Sequence, residues 1–152
     1  MNLQHWTYPL KQDKLMPNDY FEFKQFTIWQ SKCSQKVSTD ACLFGAWTAK
    51  HCRPAVNILD IGAGTGLLML MMAQQHEALI DGIEIEKDCA GQMRENLLSS
   101  PWKERLNGIE ADVKIHPFEK KYDLIISNPP FYEKQLQAAD TSKNLAWHSS
   151  EL

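Results

Sequence analysis

Residues 56–68 read VNILDIGAGTGLL, Val56 to Leu68, and the rest of the chain is organised around them. The run VNILDIG is apolar and β-branched, as a buried strand requires. It breaks at Gly62, Gly64 and Gly66, then resumes as TGLLMLMMAQQ, which is apolar around a whole helix. A strand, a glycine turn and a helix open a βαβ unit. Downstream, LIDGIEIE is a second strand, and KDCAGQMRENLLSS is an amphipathic helix with Ala90, Met93, Leu97 and Leu98 on one face. Asp88 sits near that helix's start, where the dipole favours an acid. NGIEADV and YDLIISN supply a third and a fourth strand. The alternation predicts an α/β fold: a parallel sheet with helices on both faces.

Upstream of Pro54 the rhythm differs. FEFKQFTIWQ, Phe21 to Gln30, alternates like a strand and is rich in aromatics. STDACLFGAWTAK reads as a helix capped by Ser38 or Thr39, with Leu43, Ala46 and Trp47 at helical spacing. The chain therefore divides into an N-terminal extension, residues 1–53, expected to pack over the ligand edge, and a sheet-bearing part, residues 54–152.

Composition narrows the classes. At 152 residues, with 43% hydrophobic and 23% charged side chains, the chain suits one globular core. No window has the length of a membrane span, and MNLQHWTYPLKQDK lacks a basic-then-apolar signal pattern, so a cytoplasmic protein without a membrane partner is expected. Cys33, Cys42, Cys52 and Cys89 lack metal-ligand spacing, so no metal is expected, and thiols in a reducing compartment are the default. Net charge is −3, unevenly spread: up to Arg53, seven bases face four acids, a net of +3 that leaves −6 for the remainder. A basic N-terminal face suits phosphates, and an ordinary solvated surface accounts for it equally.

The glycine loop limits the ligand. A dinucleotide fingerprint needs a third glycine at position 67, where Leu67 stands. Asp60, just before the loop, sits badly beside a pyrophosphate but suits a ligand with a cationic amine. S-adenosyl-L-methionine has that amine, a sulfonium and no phosphate. Glu84 lies about 20 residues past the loop, where an acid grips ribose hydroxyls. The alternative for such a position is a solvated strand end, and Glu86 reads as one. Asp112 ends the third strand and could accept from an adenine amine or cap a helix.

The fourth strand stops at Ser127 and runs into Asn128-Pro129-Pro130-Phe131. Prolines that end a strand and turn the chain are one reading. The other is chemical. An amine conjugated to a ring is a poor nucleophile, and two acceptors aimed at its hydrogens free the lone pair. The Asn128 side-chain carbonyl and the Pro129 main-chain carbonyl are such acceptors, and Phe131 offers a face for a flat ring. A base within a nucleic acid must flip out to reach such a pocket.

With these motifs, Asp60-x-Gly62-x-Gly64-x-Gly66 and Asn128-Pro129-Pro130-Phe131, the chain resembles the amino-methylating class I methyltransferases, whose fold is Rossmann-like. FKQFTIWQSKCSQKVSTDACLFGAW and SPWKERL are similar, more narrowly, to the bacterial tRNA (adenine-N6)-methyltransferases that modify adenine 37, beside the anticodon of a valine tRNA. The resemblance runs from about Phe21 to Leu152. It implies that Lys36, Val37, Thr39, Asp40, Leu43 and Gly45-Ala46-Trp47 belong to the segment that closes over the methionine end of the cofactor. It assigns Asp60 and the glycines to the methionine part, Glu84 to the ribose, Asp112 to the adenine, and Asn128 to Phe131 to the target amine. That family's sheet has seven strands and continues past this chain's end, so the chain is expected to be a fragment with about four strands. A strand left without its neighbour is expected to favour self-association.

Rival readings remain. Release-factor glutamine methylation uses the same Asn-Pro-Pro logic but an acid-rich Pro-Glu-Thr pattern upstream, where this chain has KVSTDACLFGAW. Guanine-N2 methylation of ribosomal RNA fits the motif too. A reading of another class is a fragment that binds cofactor or RNA without turnover.

Overall fold

The computed structural model describes residues 18–129. Two short strands, β1 (Tyr20–Glu22) and β2 (Thr27–Trp29), form an antiparallel hairpin with Phe21 opposite Ile28. The run read as one β-like segment thus folds back on itself, closed by a Phe23 N–H to Phe26 carbonyl bond of 2.9 Å. Helix α1 (Thr39–His51) follows; Ser38 caps it, its hydroxyl accepting from the Ala41 N–H at 3.2 Å. Then come β3 (Asn57–Ile61), α2 (Leu67–Ala73), β4 (Leu79–Glu84), α3 (Lys87–Leu98), a 3-10 turn (Lys103–Arg105), β5 (Leu106–Glu110) and β6 (Leu124–Ser127).

The four strands β3 to β6 make one parallel sheet in the order β5-β4-β3-β6. The chain moves outward from β3 to β4 to β5, then jumps back across β3 to place β6. Right-handed crossovers in one direction put their helices on one face. Gly82 and Gly108 are register partners, and a Cβ on each would strike Met69 of α2 and Met93 of α3 respectively, so both helices lie on that face. Among the described residues the second face carries only the β5–β6 connection, because the reversal of direction sends that crossover to the other side. There Tyr122 and Lys120 reach Asp81 at 2.6 and 2.8 Å, and Asn107 reaches it at 3.3 Å.

The core follows from the apolar α2. Met69, Leu70 and Met72 are wholly buried between the sheet and α1, with Ile58 and Ile80 below them. Each such side chain contributes about 1.5–3 kcal/mol by leaving water. Gly45 lets α1 settle on α2, since a Cβ there would lie 2.5 Å from the Met71 sulfur. Leu43, Ala46 and Trp47 share a face of α1 as read, but it is the outer one: Leu43 and Trp47 are exposed, while Ala41, Gly45, Thr48 and Ala49 pack inward. In α3, Ala90, Met93 and Leu97 are buried, whereas Leu98 points to solvent.

The lower edge of the sheet is tied by side chains. Asp123 accepts from the Val56 and Asn57 N–H groups at 2.9 Å each, joining the start of β3 to the entry of β6. The Arg105 guanidinium donates to the carbonyls of His76, Ala78 and Ala73 at 2.7, 3.0 and 3.1 Å, closing the end of α2 and the turn into β4. No described helix is long and apolar enough to cross a membrane.

Candidate functional site

Parallel register brings the carboxyl ends of four strands to one level. Ile61 of β3 is paired with Ile83 of β4 and with Ser127 of β6, and Glu84 is paired with Glu110 of β5. The strand order reverses beside β3, with β4 on one side and β6, also parallel to it, on the other, and it is at such a reversal that open α/β sheets form a ligand crevice. The loop after β3 fills it.

That loop is built on backbone that only glycine adopts readily. Gly62, Gly64 and Gly66 have φ of 70°, 55° and 81°. The N–H groups of Gly62 and Ala63 donate to the Ile83 carbonyl at 2.9 and 3.1 Å. The Gly64 N–H donates to Glu84 Oε2 at 2.9 Å, while Glu84 Oε1 accepts from the Glu86 N–H at 2.9 Å. One carboxylate thus fixes both the loop and the turn into α3. Glu84 is half-buried, and each oxygen keeps a lone pair for a further donor.

Asp60 lies beneath the loop, fully buried, with both oxygens lacking a hydrogen-bond partner among the described residues. Burial, and next to it the negative charge of Glu84, push its carboxyl well above the usual carboxylate range. Two acids in one crevice, one of them without a donor, favour a positively charged ligand over a phosphate. Glu86, the residue before α3, is also raised, by burial and by the charges of Asp88 and Glu84.

The other sequence candidates separate. Asp112 stands just past β5, and its Oδ1 accepts from the Lys114 N–H at 2.9 Å while its carbonyl accepts from Ile115 and His116. It caps a short turn rather than the helix of the alternative reading, with its carboxylate still at the sheet edge. Asn128 and Pro129 follow β6 directly, and Ser127 locks that end by donating to the Ile61 carbonyl at 2.9 Å. Pro130 and Phe131 lie outside the described residues. Lys36, Thr39 and Asp40 are exposed, and among the described residues no hydrogen bond joins them to the strand ends. The Lys36 ammonium instead donates to the Gln30 carbonyl.

Sequence reading missed two features. Asn96, buried in α3, accepts from the Trp29 N–H at 2.9 Å and donates to the carbonyls of Trp29 and Thr65 at 2.8 and 2.9 Å. It ties the hairpin to the glycine loop, and two amides one turn apart, Gln92 and Asn96, within an otherwise apolar stripe were the available signal. Cys33 and Cys89 are joined in a disulfide, with Cα atoms 4.6 Å apart. This corrects the expectation of free thiols: packing of the 30–37 segment on α3, invisible in a separation of 56 residues, brings them together.

No group of three or more His, Cys, Asp or Glu residues is arranged to hold a metal among the described residues. The chain is 47% identical over 140 residues to a Cytophaga hutchinsonii protein named tRNA1(Val) (adenine(37)-N6)-methyltransferase, matching 90% of this chain and 58% of that protein. A protein of the same name from Bacteroides thetaiotaomicron is 43% identical over 139 residues, with the same coverage. The chain therefore spans somewhat over half the length of these relatives. Among solved structures, aTrm5 in complex with tRNALeu superposes with a TM-score of 0.61 at 18% identity, covering 74% of this chain and 33% of that one. A putative RNA methyltransferase from Pyrococcus horikoshii gives 0.52 at 24% identity, covering 64% and 48%; both show the Rossmann-like fold. The family model described as the methyltransferase small domain matches residues 43–151, and the chain belongs to that family.

Proposed function

We propose that this chain carries the cofactor-binding part of an S-adenosyl-L-methionine-dependent methyltransferase acting on the N6 amine of an adenine in tRNA, at position 37 of a valine tRNA. The observation that carries it is the crevice at the reversal of strand order, where Glu84 holds the Gly64 N–H at 2.9 Å above an unpartnered, buried Asp60. The donor set fits the cofactor: an acid charge for its cationic part, a ribose acceptor at Glu84, and glycines for close approach. When bound, the cofactor supplies a methyl group on a sulfonium. Asn128 and the Pro129 carbonyl accept the two hydrogens of the target amine and hold it in line. Positioning and exclusion of water provide most of the acceleration, and no strong base is needed. The choice of tRNA adenine is supported by the names of relatives 41–47% identical to this chain.

We take residues 1–53 as the extension that shields the cofactor, with Lys36, Thr39 and Asp40 on its inner side once ligand is present, and residues 54–152 as part of the catalytic domain. Asp112, Pro130 and Phe131 complete the adenine and target-base walls. Ile125 is exposed on β6, whose outer edge has no partner among the described residues; this supports self-association, and light scattering that shows a monomer at high concentration removes that part of the reading. The reading places the protein in the cytoplasm, where tRNA is its partner.

The test is incubation of the purified protein with methyl-labelled cofactor and unmodified total tRNA, followed by nucleoside mass spectrometry. N6-methyladenosine is expected. Label in guanine of ribosomal RNA, or in a release-factor glutamine, replaces the reading with one of its rivals.

A further inference from the structure

The segment that leaves β2 runs along α3 as a strap. Trp29 is bonded through both main-chain groups to Asn96, Ser31 donates to Gln92 Oε1 at 3.4 Å, Lys32 meets Glu95 at 2.7 Å, and Cys33 is joined to Cys89. The contacts descend α3 from its tenth and ninth residues to its third, toward the turn that carries Glu84 and Glu86. Beyond Cys33 the chain is folded over Gln30, whose Oε1 accepts from the Val37 N–H at 2.8 Å, and then enters α1 at Ser38. The disulfide is the last rung before the segment assigned to the cofactor.

We propose that Cys33 and Cys89 form a reversible latch: as a disulfide they pin the 30–37 strap beside the ribose side of the cofactor site, and on reduction they release it and weaken cofactor binding. The proposal rests on the cofactor reading given above. Beyond the Trp29–Asn96 anchor in β2, the other rungs of the strap hold it less firmly: Lys32 and Glu95 are both solvent-exposed, where such pairs contribute little, and the Ser31–Gln92 bond is long at 3.4 Å. Disulfides in reducing compartments are as a rule transient or redox-sensing. The other two cysteines compete poorly for exchange, since burial pushes the thiols of Cys42 and Cys52 up and lowers their thiolate fraction.

The exchange is balanced by a low-molecular-weight thiol of the glutathione class. Its thiolate attacks one protein sulfur, the S–S bond breaks, and the second sulfur leaves as thiolate and takes a proton. A second thiol resolves the mixed disulfide. The protein gains two electrons and two protons, and two reductant thiols depart as one disulfide; an excess of that disulfide drives the reverse. Cys33 and Cys89 are only 3% and 5% exposed, so attack requires the strap to lift from α3. A ligand that holds the strap down must then slow reduction.

The experiment uses the whole chain equilibrated with oxidised or reduced glutathione. Alkylation and intact mass should find two free cysteines, Cys42 and Cys52, in the oxidised form and four in the reduced form. Reduction should speed amide exchange over residues 30–37 and weaken S-adenosylhomocysteine binding about three- to tenfold, the scale of ordering one or two side chains. The same ligand should slow reduction. Cys33→Ser should match the reduced wild type and ignore glutathione, while Cys42→Ser/Cys52→Ser should respond as wild type does. Four free thiols under excess oxidised glutathione overturn the latch. So does full reduction that leaves both exchange and affinity unchanged. A chain that binds no ligand in either state refutes the cofactor reading instead, and the exchange of residues 30–37 alone then decides whether the strap is latched.

Discussion

Substituting Glu84 by glutamine tests the crevice most directly. The carboxylate accepts two main-chain N–H groups, from Gly64 and Glu86, at 2.9 Å each. A glutamine keeps one acceptor oxygen and turns an NH2 toward the other donor. One charge-assisted bond is lost, worth about 1.5–3 kcal/mol, and half-exposure places it at the low end. The glycine loop loosens, and the acceptor proposed for the ribose loses its charge. Together these predict a ten- to hundredfold weaker affinity for S-adenosylhomocysteine, about 1.4–2.8 kcal/mol. Calorimetry with that ligand and its 2′-deoxy analogue, on wild type and Glu84→Gln, separates the two contributions. Wild type should discriminate against the deoxy ligand, and the variant should discriminate much less, which is the coupling of a double-mutant cycle. Equal discrimination by both proteins would refute the ribose assignment. Unchanged affinity would refute the loop assignment as well.

Asp60→Asn should act oppositely on stability and binding. Asp60's folded-state pKa lies above its unfolded value because of burial and then Glu84, so the folded chain holds that proton more tightly and loses stability as pH rises from the unfolded value through the folded one. Asparagine removes this slope: thermal melts should show the variant gaining on wild type as pH is raised, with weaker cofactor affinity, and parallel melting curves would contradict it. Asn128→Ala should abolish methyl transfer in the active enzyme and leave cofactor affinity intact; the reverse pattern makes Asn128 a structural turn residue. Arg105→Ala should cost about 2–3 kcal/mol in urea unfolding through three orphaned carbonyls, with no effect on ligand affinity. Asp123 is held below its usual range by the Asn57 and Val56 N–H groups, so its contribution is present above the unfolded pKa and fades as pH falls through the folded one. Asp123→Asn should flatten the acid limb of the stability profile, and an unchanged limb would exclude that role.

Much of the fold was legible because its signals are local. The apolar run Asn57–Ile61, the glycines and the apolar α2 each declare an element within a few residues. Glu84 was legible as a strand end, and the structure gives it two main-chain partners. What sequence misread depends on which side of an element meets the core. Leu43, Ala46 and Trp47 share a helical face, but glycine at position 45 and small residues at 41 and 49 let α1 press its other side onto α2. That α2 and α3 share one face among the described residues follows from strand order, which periodicity does not contain. The Cys33–Cys89 bond and the three bonds of Asn96, which join the strap, β2 and the glycine loop to α3, are long-range pairings with no spacing rule to announce them.

The two edges of the sheet divide the labour. At the lower edge, Asp123 and Arg105 staple strand entries and helix ends with bonds that involve no ligand. At the upper edge, the carboxyl ends of β3, β4, β5 and β6 and the residues just past them carry the described residues proposed to meet cofactor or base, apart from those of the extension. Mutational drift is thereby partitioned. Changes in the upper loops can alter what is bound or methylated without disturbing the staples below, so a lineage can acquire a new substrate while keeping a foldable protein. A residue inserted within a strand has no such freedom, because it would rotate Glu84 or Ser127 to the opposite face and disassemble the crevice at once.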